Sequence, residues 1–374
     1  MNKEWYIGVM SGTSLDGVDC ALVEIEDERV RLLAHRDFPF PIDLKQTVLD
    51  VCLGKTTSLP AIGELDHQLG HLFANAILQL LEQHNIKPEQ VRAIGNHGQT
   101  VFHQPSGENP FTLQLGDANI IAQKTGIDTV ADFRRLDMAL GGQGAPLVPA
   151  FHRTIFRPTD STVVVLNIGG IANISVLRPN EKVIGYDTGP GNMLMDAWCQ
   201  KHRQESYDKG AQFAQQGVVL KPLLTRMLSD TYFSSPTPKS TGRERFNLDW
   251  LNACLRSEPY RPEDVQRTLL ELSAVSICNE VALYVHGHAP ELLVCGGGAH
   301  NPLLMQRLME LLPDWRVQTT NAQGVDGDNM EAMAFAWLAQ RRVHNLPSNL
   351  PEVTGARGYT SLGCLYLAPH TERI

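Results

Sequence analysis

Apolar and polar positions alternate along the chain from its first apolar stretch. In IGVMSGTSLDGVDCALVEI, Ile7 and Val9 are followed by a polar bend and then by Cys20, Leu22, Val23 and Ile25. This pattern predicts a strand, a turn and a second strand, and VRLLAHRDFPF adds a third. Over AIGELDHQLGHLFANAILQLLEQHNIKPEQV the period becomes helical, with Leu65, Leu69, Leu72, Phe73, Ala76, Ile77 and Leu80 three and four residues apart. RAIGNHGQTVFHQP and FTLQLGDANIIAQKTGIDTVADF then read as strand, turn, strand, helix and strand. LGGQGAPLVPAFH, Leu140 to His152, reads as a Gly/Pro-rich crossover between domains.

STVVVLNIGGIANISVL, Ser161 to Leu177, repeats the opening pattern of strand, Gly-rich bend and strand. Two such hairpins a domain apart predict a duplicated α/β unit. Helices are expected in MLMDAWCQKH, in PLLTRMLSD and in PEDVQRTLLELSAVSICNEVALYVHG. ELLVCGGGAHNPLLMQRLMELL reads as a strand, three glycines and a helix. DNMEAMAFAWLAQRRV is the last helix, and GYTSLGCLYLA closes as a strand or extended tail.

Composition narrows the class. The 374 residues, 43% hydrophobic and 20% charged, suffice for two globular domains. A net charge of −9 with both signs interspersed offers no basic surface for nucleic acid. A small anion is still accommodated by backbone N–H groups and helix dipoles. Seven scattered cysteines with no C-x-x-C predict neither a disulfide framework nor a zinc site, and suit a reducing compartment. MNKEWYIGVM is not a signal peptide, and no stretch approaches the ~20 apolar residues of a membrane span. A cytoplasmic protein is expected.

Three turns carry the candidate chemistry. The first bend holds Ser11, Gly12, Thr13, Ser14, Asp16, Gly17 and Asp19; the second holds Asn167, Gly169, Gly170 and Asn173; the third is Gly296, Gly297 and Gly298. Glycine permits positive φ and close backbone approach, and successive free N–H groups form anion-binding concavities. Each turn alone reads equally as a tight bend. Together, in this order, they predict a nucleotide clasp, with the hairpins on phosphates and the triple-glycine turn at the nucleoside end. The chain has no Walker G-x-x-x-x-G-K-[ST] string, no G-x-G-x-x-G opening a helix and no protein-kinase signature set. Asp187, in VIGYDTGPGNMLMD, ends a strand at a Gly-Pro-Gly turn that opens a helix. A carboxylate placed there suits a ligand-facing base, and also an Asx turn.

The order of hairpin, second hairpin and CGGGAHN resembles the actin, sugar-kinase and heat-shock ATPase superfamily. Within it, GVMSGTSLDGVD, GNHGQTVFH, ADFRRLDMALGGQGAPLVP, NIGGIANIS, DTGPGNMLMD and GGGAHNPLL resemble the anhydro-N-acetylmuramic acid kinases, from Ile7 to about Leu367. One departure concerns the first hairpin. The superfamily usually opens it with an Asp near Val9 or Met10, whereas here the carboxylates follow the bend. The resemblance implies an α/β, two-lobed, actin-like ATPase (ribonuclease H-like, duplicated) fold with a nucleotide cleft between the domains. Residues 1–137 with about 341–374 are expected to form the first lobe, with the first phosphate hairpin. Residues 138–340 are expected to form the second, with the second hairpin, the catalytic Asp and the adenosine motif. Hinge closure at the crossover, a bacterial cytoplasm and a homodimer are further implications.

The implied cofactors are ATP and Mg²⁺. Gly12, Thr13, Ser14, Leu15, Asp16, Gly17, Val18 and Asp19 in the first hairpin, and Gly169, Gly170 and Asn173 in the second, are expected at the nucleotide, with Gly296, Gly297, Gly298 and Asn301 at its adenosine end. Asp16 and Asp19 are expected to hold Mg²⁺ through water, since that ion takes few carboxylates. The implied reaction opens the 1,6-anhydro ring of anhydro-N-acetylmuramic acid and phosphorylates O6, in cell-wall recycling. O6 is tied into the acetal and has no proton to lose, so water must attack C1, with ionised Asp187 as its base. His97, Gln99 and Thr100 are expected at sugar hydroxyls, Arg134 rather than Arg135 at the lactyl carboxylate, and Glu331 as a second carboxylate near the sugar. A structural His, a surface Arg and a carboxylate placed for the helix dipole are the plainer readings of His97, Arg134 and Glu331. Two alternatives stand: a kinase of another amino or anhydro sugar, and a nucleotide-switched actin-like binding protein. No basic helix-turn-helix precedes Ile7, which disfavours a sugar-sensing repressor.

Overall fold

The computed structural model describes residues 3–369 except 13, 14, 16, 56, 238 and 257. The chain begins with strands β1 (Glu4–Ser11), β2 (Gly17–Glu26) and β3 (Arg29–Pro39), then helices α1 (Ile42–Cys52) and α2 (Leu59–Gln83). Next come β4 (Val91–Gln104), β5 (Phe111–Leu115), α3 (Ala118–Thr125), β6 (Thr129–Ala131), α4 (Arg135–Ala139) and α5 (Val148–Phe156). The middle of the chain forms β7 (Val163–Ile168), β8 (Ile171–Leu177), β9 (Ile184–Pro190), α6 (Met193–Arg203), α7 (Lys221–Leu228), α8 (Leu248–Leu255) and α9 (Pro262–Val281). It continues with β10 (Glu291–Cys295), α10 (Pro302–Leu311), β11 (Arg316–Thr319), α11 (Met330–Val343), α12 (Pro351–Thr354) and β12 (Cys364–Tyr366). These elements group into two compact units: Met1–Ile155 with Asn329–Ile374, and Phe156–Asp328.

The first unit has the sheet order β12-β6-β4-β1-β2-β3, with β5 paired to β4. β1 runs antiparallel to β2 and parallel to β4, which is parallel to β6. The second has the order β11-β10-β7-β8-β9. There β7 is antiparallel to β8 and parallel to β10, which is parallel to β11. Both contain the same plan: a three-strand meander whose first strand is continued by two parallel strands. That recurrence is the duplicated α/β unit expected from the hairpins, and it is the plan of the actin-like fold.

Alternation along β1 sets the layers of the first unit. Ile7 and Val9 join Cys20, Leu22 and the α2 residues Leu65, Leu69, Phe73, Ile77 and Leu80 in one core. Ser58 caps α2 by accepting from Ala61 N–H at 3.3 Å, with Pro60 in the first turn. Gly8 and Gly95 face the opposite way, where α11 crosses so closely that a Cβ on either would overlap its backbone. The second unit is centred on α9, nearly all of which is buried, with Val164, Leu166, Ile174 and Leu292 of the sheet in the same core.

The boundaries differ from the expected 137/138 and 340/341. α11 belongs to the first unit because its small residues, Ala332 and Ala336, pack against Gly8. The segment Leu140–Pro149 also belongs there rather than acting as a free crossover. Buried Asp137 accepts from Gly144 N–H at 2.9 Å, from Asn349 Nδ2 at 3.0 Å and from Thr354 Oγ1 at 2.8 Å. Gln143 N–H donates to Thr354 O at 2.8 Å, and Arg357 N–H to Leu140 O at 2.9 Å. These bonds clasp the segment to the first unit, and the division falls at the end of α5. Among the described residues no helix is long and apolar enough to cross a membrane.

Candidate active site

In the second unit, one row of residues crosses four strands. Cys295, Asn167, Asn173 and Asp187 lie opposite one another on β10, β7, β8 and β9. The row lies two residues before the Gly169–Gly170 turn on β7 and three residues before the end of β9 at Pro190. Gly191 N–H donates to Gly170 O at 2.9 Å and Asn192 N–H to Gly169 O at 2.8 Å, so the turn before α6 docks on the hairpin. Gly191 is required there, because a Cβ would strike the Gly169 carbonyl.

Asp187 is held by residues far along the chain. Its Oδ2 accepts from Ser240 Oγ at 3.1 Å and from Thr241 N–H at 3.0 Å. Its main chain is fixed as well: its N–H donates to Lys239 O at 3.0 Å, and its carbonyl accepts from Tyr232 Oη at 2.6 Å. Burial raises the Asp187 carboxyl above the usual carboxylate range; the Thr241 and Ser240 donors oppose that rise, and the Glu244 charge adds to it. Asp187 Oδ1 accepts from none of the described residues.

The glycines of the two turns divide into two kinds. Gly296 has φ +77°, and a Cβ there would overlap Asn167 Oδ1; at Gly298 it would overlap Ile168. Packing alone explains both. At Gly169, Gly170 and Gly297 a Cβ would meet nothing closer than 3.5, 3.6 and 3.7 Å, and none of the three has a left-handed φ. Neither crowding nor strain accounts for these three. Asn301, expected at the adenosine end, caps α10 instead, its Oδ1 accepting from Leu304 N–H at 3.0 Å.

In the first unit several of the expected residues hydrogen-bond one another. Ser11 Oγ donates to Gln99 Oε1 at 2.6 Å, and Gln99 Nε2 donates to Gly12 O at 3.5 Å and Thr100 O at 3.2 Å. Gln99 is thereby occupied in holding the first bend, and Thr100 Oγ1 accepts from Gln114 at 3.2 Å. Leu15 and Val18 have buried side chains, leaving only main chain for a ligand, and the Leu15 N–H is taken by Gly12 O at 3.2 Å. Gly17 is needed for close approach to β3, because a Cβ would lie 2.9 Å from Phe38 O. Asp19 is half-buried on β2. Thr13, Ser14 and Asp16 lie outside the described residues.

Arg134, His97 and Glu331 do come together. Arg134 Nε and Nη2 face His97 Nε2 at 3.3 and 2.9 Å, and Nη1 donates to Gly144 O at 2.8 Å. Burial and the Arg134 charge push His97 down to about 3, so it is a neutral acceptor. Burial lowers Arg134 to about 10, against the pull of Glu331, and it stays charged at neutral pH. Burial raises Glu331, and the Arg134 charge opposes that rise. Arg134 is thus a fixed internal cation rather than an open fork. Beside it lies a cavity of about 460 Å³ lined by Asn96, His97, Gly116, Asp117, Asp132 and Arg135, among others. Both amide atoms of buried Asn96 lack a hydrogen-bond partner among the described residues.

A family model described as anhydro-N-acetylmuramic acid kinase matches residues 4–368. The chain belongs to this family. It is 66% identical to the anhydro-N-acetylmuramic acid kinase of Vibrio vulnificus (strain CMCP6), over 97% of this chain and 98% of that one. It is 57% identical to the one from Pasteurella multocida, over 97% and 96% respectively. A solved ROK family glucokinase from Streptomyces griseus, in complex with glucose and AMPPNP, covers 90% of this chain and 99% of its own at 13% identity. Its TM-score of 0.38 is too low to place any residue. The residues around Asp187 that the sequence reading missed are Tyr232, Lys239, Ser240 and Thr241. The hydroxyl-rich KSTGRE string was the one available signal.

Proposed function

We propose that this kinase hydrolyses the 1,6-anhydro bridge of anhydro-N-acetylmuramic acid and phosphorylates O6 from ATP, giving N-acetylmuramic acid 6-phosphate and ADP. The observation that carries the reading is Asp187, fixed through Oδ2 with Oδ1 left to accept a proton. In the proposed step, water oxygen bonds to C1 and its proton passes to Asp187 Oδ1. The C1–O6 bond breaks, O6 bonds to the γ-phosphorus, and ADP leaves. The reaction belongs to peptidoglycan recycling in a bacterial cytoplasm, and the enzyme is taken to work as a homodimer.

Each unit contributes its own part. In the second, Gly169, Gly170 and Gly297, which the fold itself does not require, suit close approach of nucleotide phosphate and adenosine. Alanine at these three positions is expected to leave the melting temperature within ~2 °C and to raise KM for ATP about tenfold or more. Equal KM values by steady-state kinetics would remove them from the nucleotide site. In the first unit, the Asn96 amide and the polar cavity suit a sugar. Arg135 lines that cavity with its side chain 58% exposed and Asp132 at 3.7 Å. It replaces Arg134 as the group proposed for the lactyl carboxylate, because the Arg134 guanidinium is turned to His97 and Gly144.

Mg²⁺ neutralises phosphate charge when bound. Asp19 is the only described one of the two carboxylates proposed for it. Among the described residues no cluster of three or more His, Cys, Asp or Glu side chains is placed for a metal.

The test is mass spectrometry of the sugar product formed in ¹⁸O-labelled water with MgATP. The expected product carries one phosphoryl group and one labelled oxygen, and omission of Mg²⁺ with added EDTA abolishes it. A phosphorylated product without label would remove Asp187 as base. Failure to phosphorylate would remove the substrate assignment. The anhydro sugar lacking the lactyl group should lose its disadvantage against the full substrate in Arg135→Ala, and an unchanged preference would exclude Arg135.

A further inference from the structure

Lys239 is an unusual residue to find inside a protein. It is 9% exposed, and its Nζ lies 2.6 Å from Glu280 Oε1 on α9, with the Tyr232 and Phe233 carbonyls at 3.3 and 3.4 Å. The other Glu280 oxygen accepts from Tyr186 Oη at 2.8 Å. A buried lysine and glutamate are retained only with close pairing and further hydrogen bonds, and both conditions are met. The pair therefore pins a particular place in the chain. Tyr186 precedes Asp187, and strand alternation sends the two side chains to opposite faces of β9. Behind the sheet, Glu280 ties Tyr186 to Lys239. In front of it, the two residues after Lys239 hold the Asp187 carboxylate.

We propose that Tyr232 and Lys239–Thr241, locked by the Lys239–Glu280 pair, form a positioning segment that dedicates one oxygen of Asp187 to the protein and the other to the reaction. This rests on the reading of Asp187 as the base. Four hydrogen bonds converge on that residue from the segment: Ser240 Oγ and Thr241 N–H on Oδ2, Tyr232 Oη on the carbonyl, and Asp187 N–H on Lys239 O. With Oδ2 occupied by two donors, the carboxylate has one torsional setting, and Oδ1 points the same way in every turnover. Ser240 and Tyr232 are positioning residues, acting through Asp187 rather than on substrate.

The role has a signature that simple structural support lacks. The ionisable groups around Asp187 are Glu244 from the following turn, Tyr232, and the Lys239–Glu280 pair with Tyr186 behind the strand. The Ser240 and Thr241 donors lower the Asp187 pKa, so removing one raises it. A base that must be ionised then fails at a higher pH. Ser240 is exposed, and Ser240→Ala has no packing to lose. The experiment measures kcat and KM against pH for the full-length enzyme, with anhydro-N-acetylmuramic acid and MgATP as substrates.

Ser240→Ala is expected to move the acid limb of kcat/KM to higher pH, with KM for both substrates and the melting temperature unchanged. Tyr232→Phe, which frees the Asp187 carbonyl, is expected to lower kcat about tenfold at constant KM. An acid limb for Ser240→Ala that coincides with the parent's, or a loss confined to melting temperature in both variants, overturns the proposal. Asp187→Asn separates this from failure of the underlying reading. If Asp187→Asn is inactive and the Ser240→Ala limb stays in place, the base stands and the positioning device falls. If Asp187→Asn stays active, both fall.

Discussion

An Asp187→Asn enzyme is expected to fold normally and to lose sugar phosphorylation by about two to four orders of magnitude, the range over which a positioned base acts. Asparagine keeps the shape of the side chain and presents an oxygen to Ser240 and Thr241. It has no carboxylate to take a proton from water. Stability should move little, and the direction follows from the raised carboxyl. The folded state holds this proton more tightly than the unfolded chain does. The group's contribution therefore falls as pH rises from the ordinary carboxylate range through the folded value, and at neutral pH the ionised form is a cost. The asparagine variant should melt at or above the parent at neutral pH, and the difference should vanish toward acid. Labelled-water assays and thermal melts at two pH values check both statements. A variant keeping a tenth or more of the parent's rate would place the base elsewhere.

The largest effect on stability is expected far from any ligand. Gly8→Ala or Gly95→Ala should cost more than about 4 kcal/mol, or leave the first unit unfolded. At Gly8 the new Cβ would overlap the Ala332 carbonyl and lie 2.7 Å from Ala336 N; at Gly95 it would overlap the Phe335 carbonyl and lie 3.1 Å from Ala339 Cβ. These are backbone atoms and a methyl group of α11, none of which can rotate away. The helix would have to lift off β1 and β4 as a body. Gly63 is the control, since a Cβ there meets nothing within 4 Å and the residue lies inside α2. Gly63→Ala should stabilise by about 0.5–1 kcal/mol. Far-UV circular dichroism and melting curves of the three variants decide the matter. Normal melting of Gly8→Ala would show that α11 does not lie where the structure has it.

That glycine seam also explains part of what the sequence reading missed. The hairpins, the α2 periodicity and the strand carrying Asp187 were legible because each depends on neighbouring residues; the end of that strand was not, since β9 runs on to Pro190. The unit boundary was not, because it depends on which sheet α11 covers. Gly8 and Gly95 inside two strands, with Ala332, Ala336 and Ala339 on one helix face, were the available clue, and only contacts spanning most of the chain give it meaning. The site divides in the same way. Glycine content marked all three turns, but could not separate Gly169, Gly170 and Gly297 from Gly296 and Gly298, whose absent side chains make room for Asn167 and Ile168. Arg134 was recognisable as a placed cation. That its guanidinium turns inward to His97 and Gly144 depends on a fold-wide arrangement. The grip of Ser240 and Thr241 on Asp187 spans more than fifty residues and has no local pattern.

The clasp at Asp137 has a bearing on how the molecule is made. Its partners Asn349 and Thr354, and α11 over Gly8 and Gly95, come from the last part of the chain. The second unit, Phe156–Asp328, is one continuous stretch and can complete its core while the ribosome is still working. The first unit cannot. Its central strands leave the ribosome early, yet one face of them stays uncovered until residues 330–343 have emerged, and Asp137 keeps unmet hydrogen bonds until Thr354 follows. The part of the enzyme translated first is thus the last to mature.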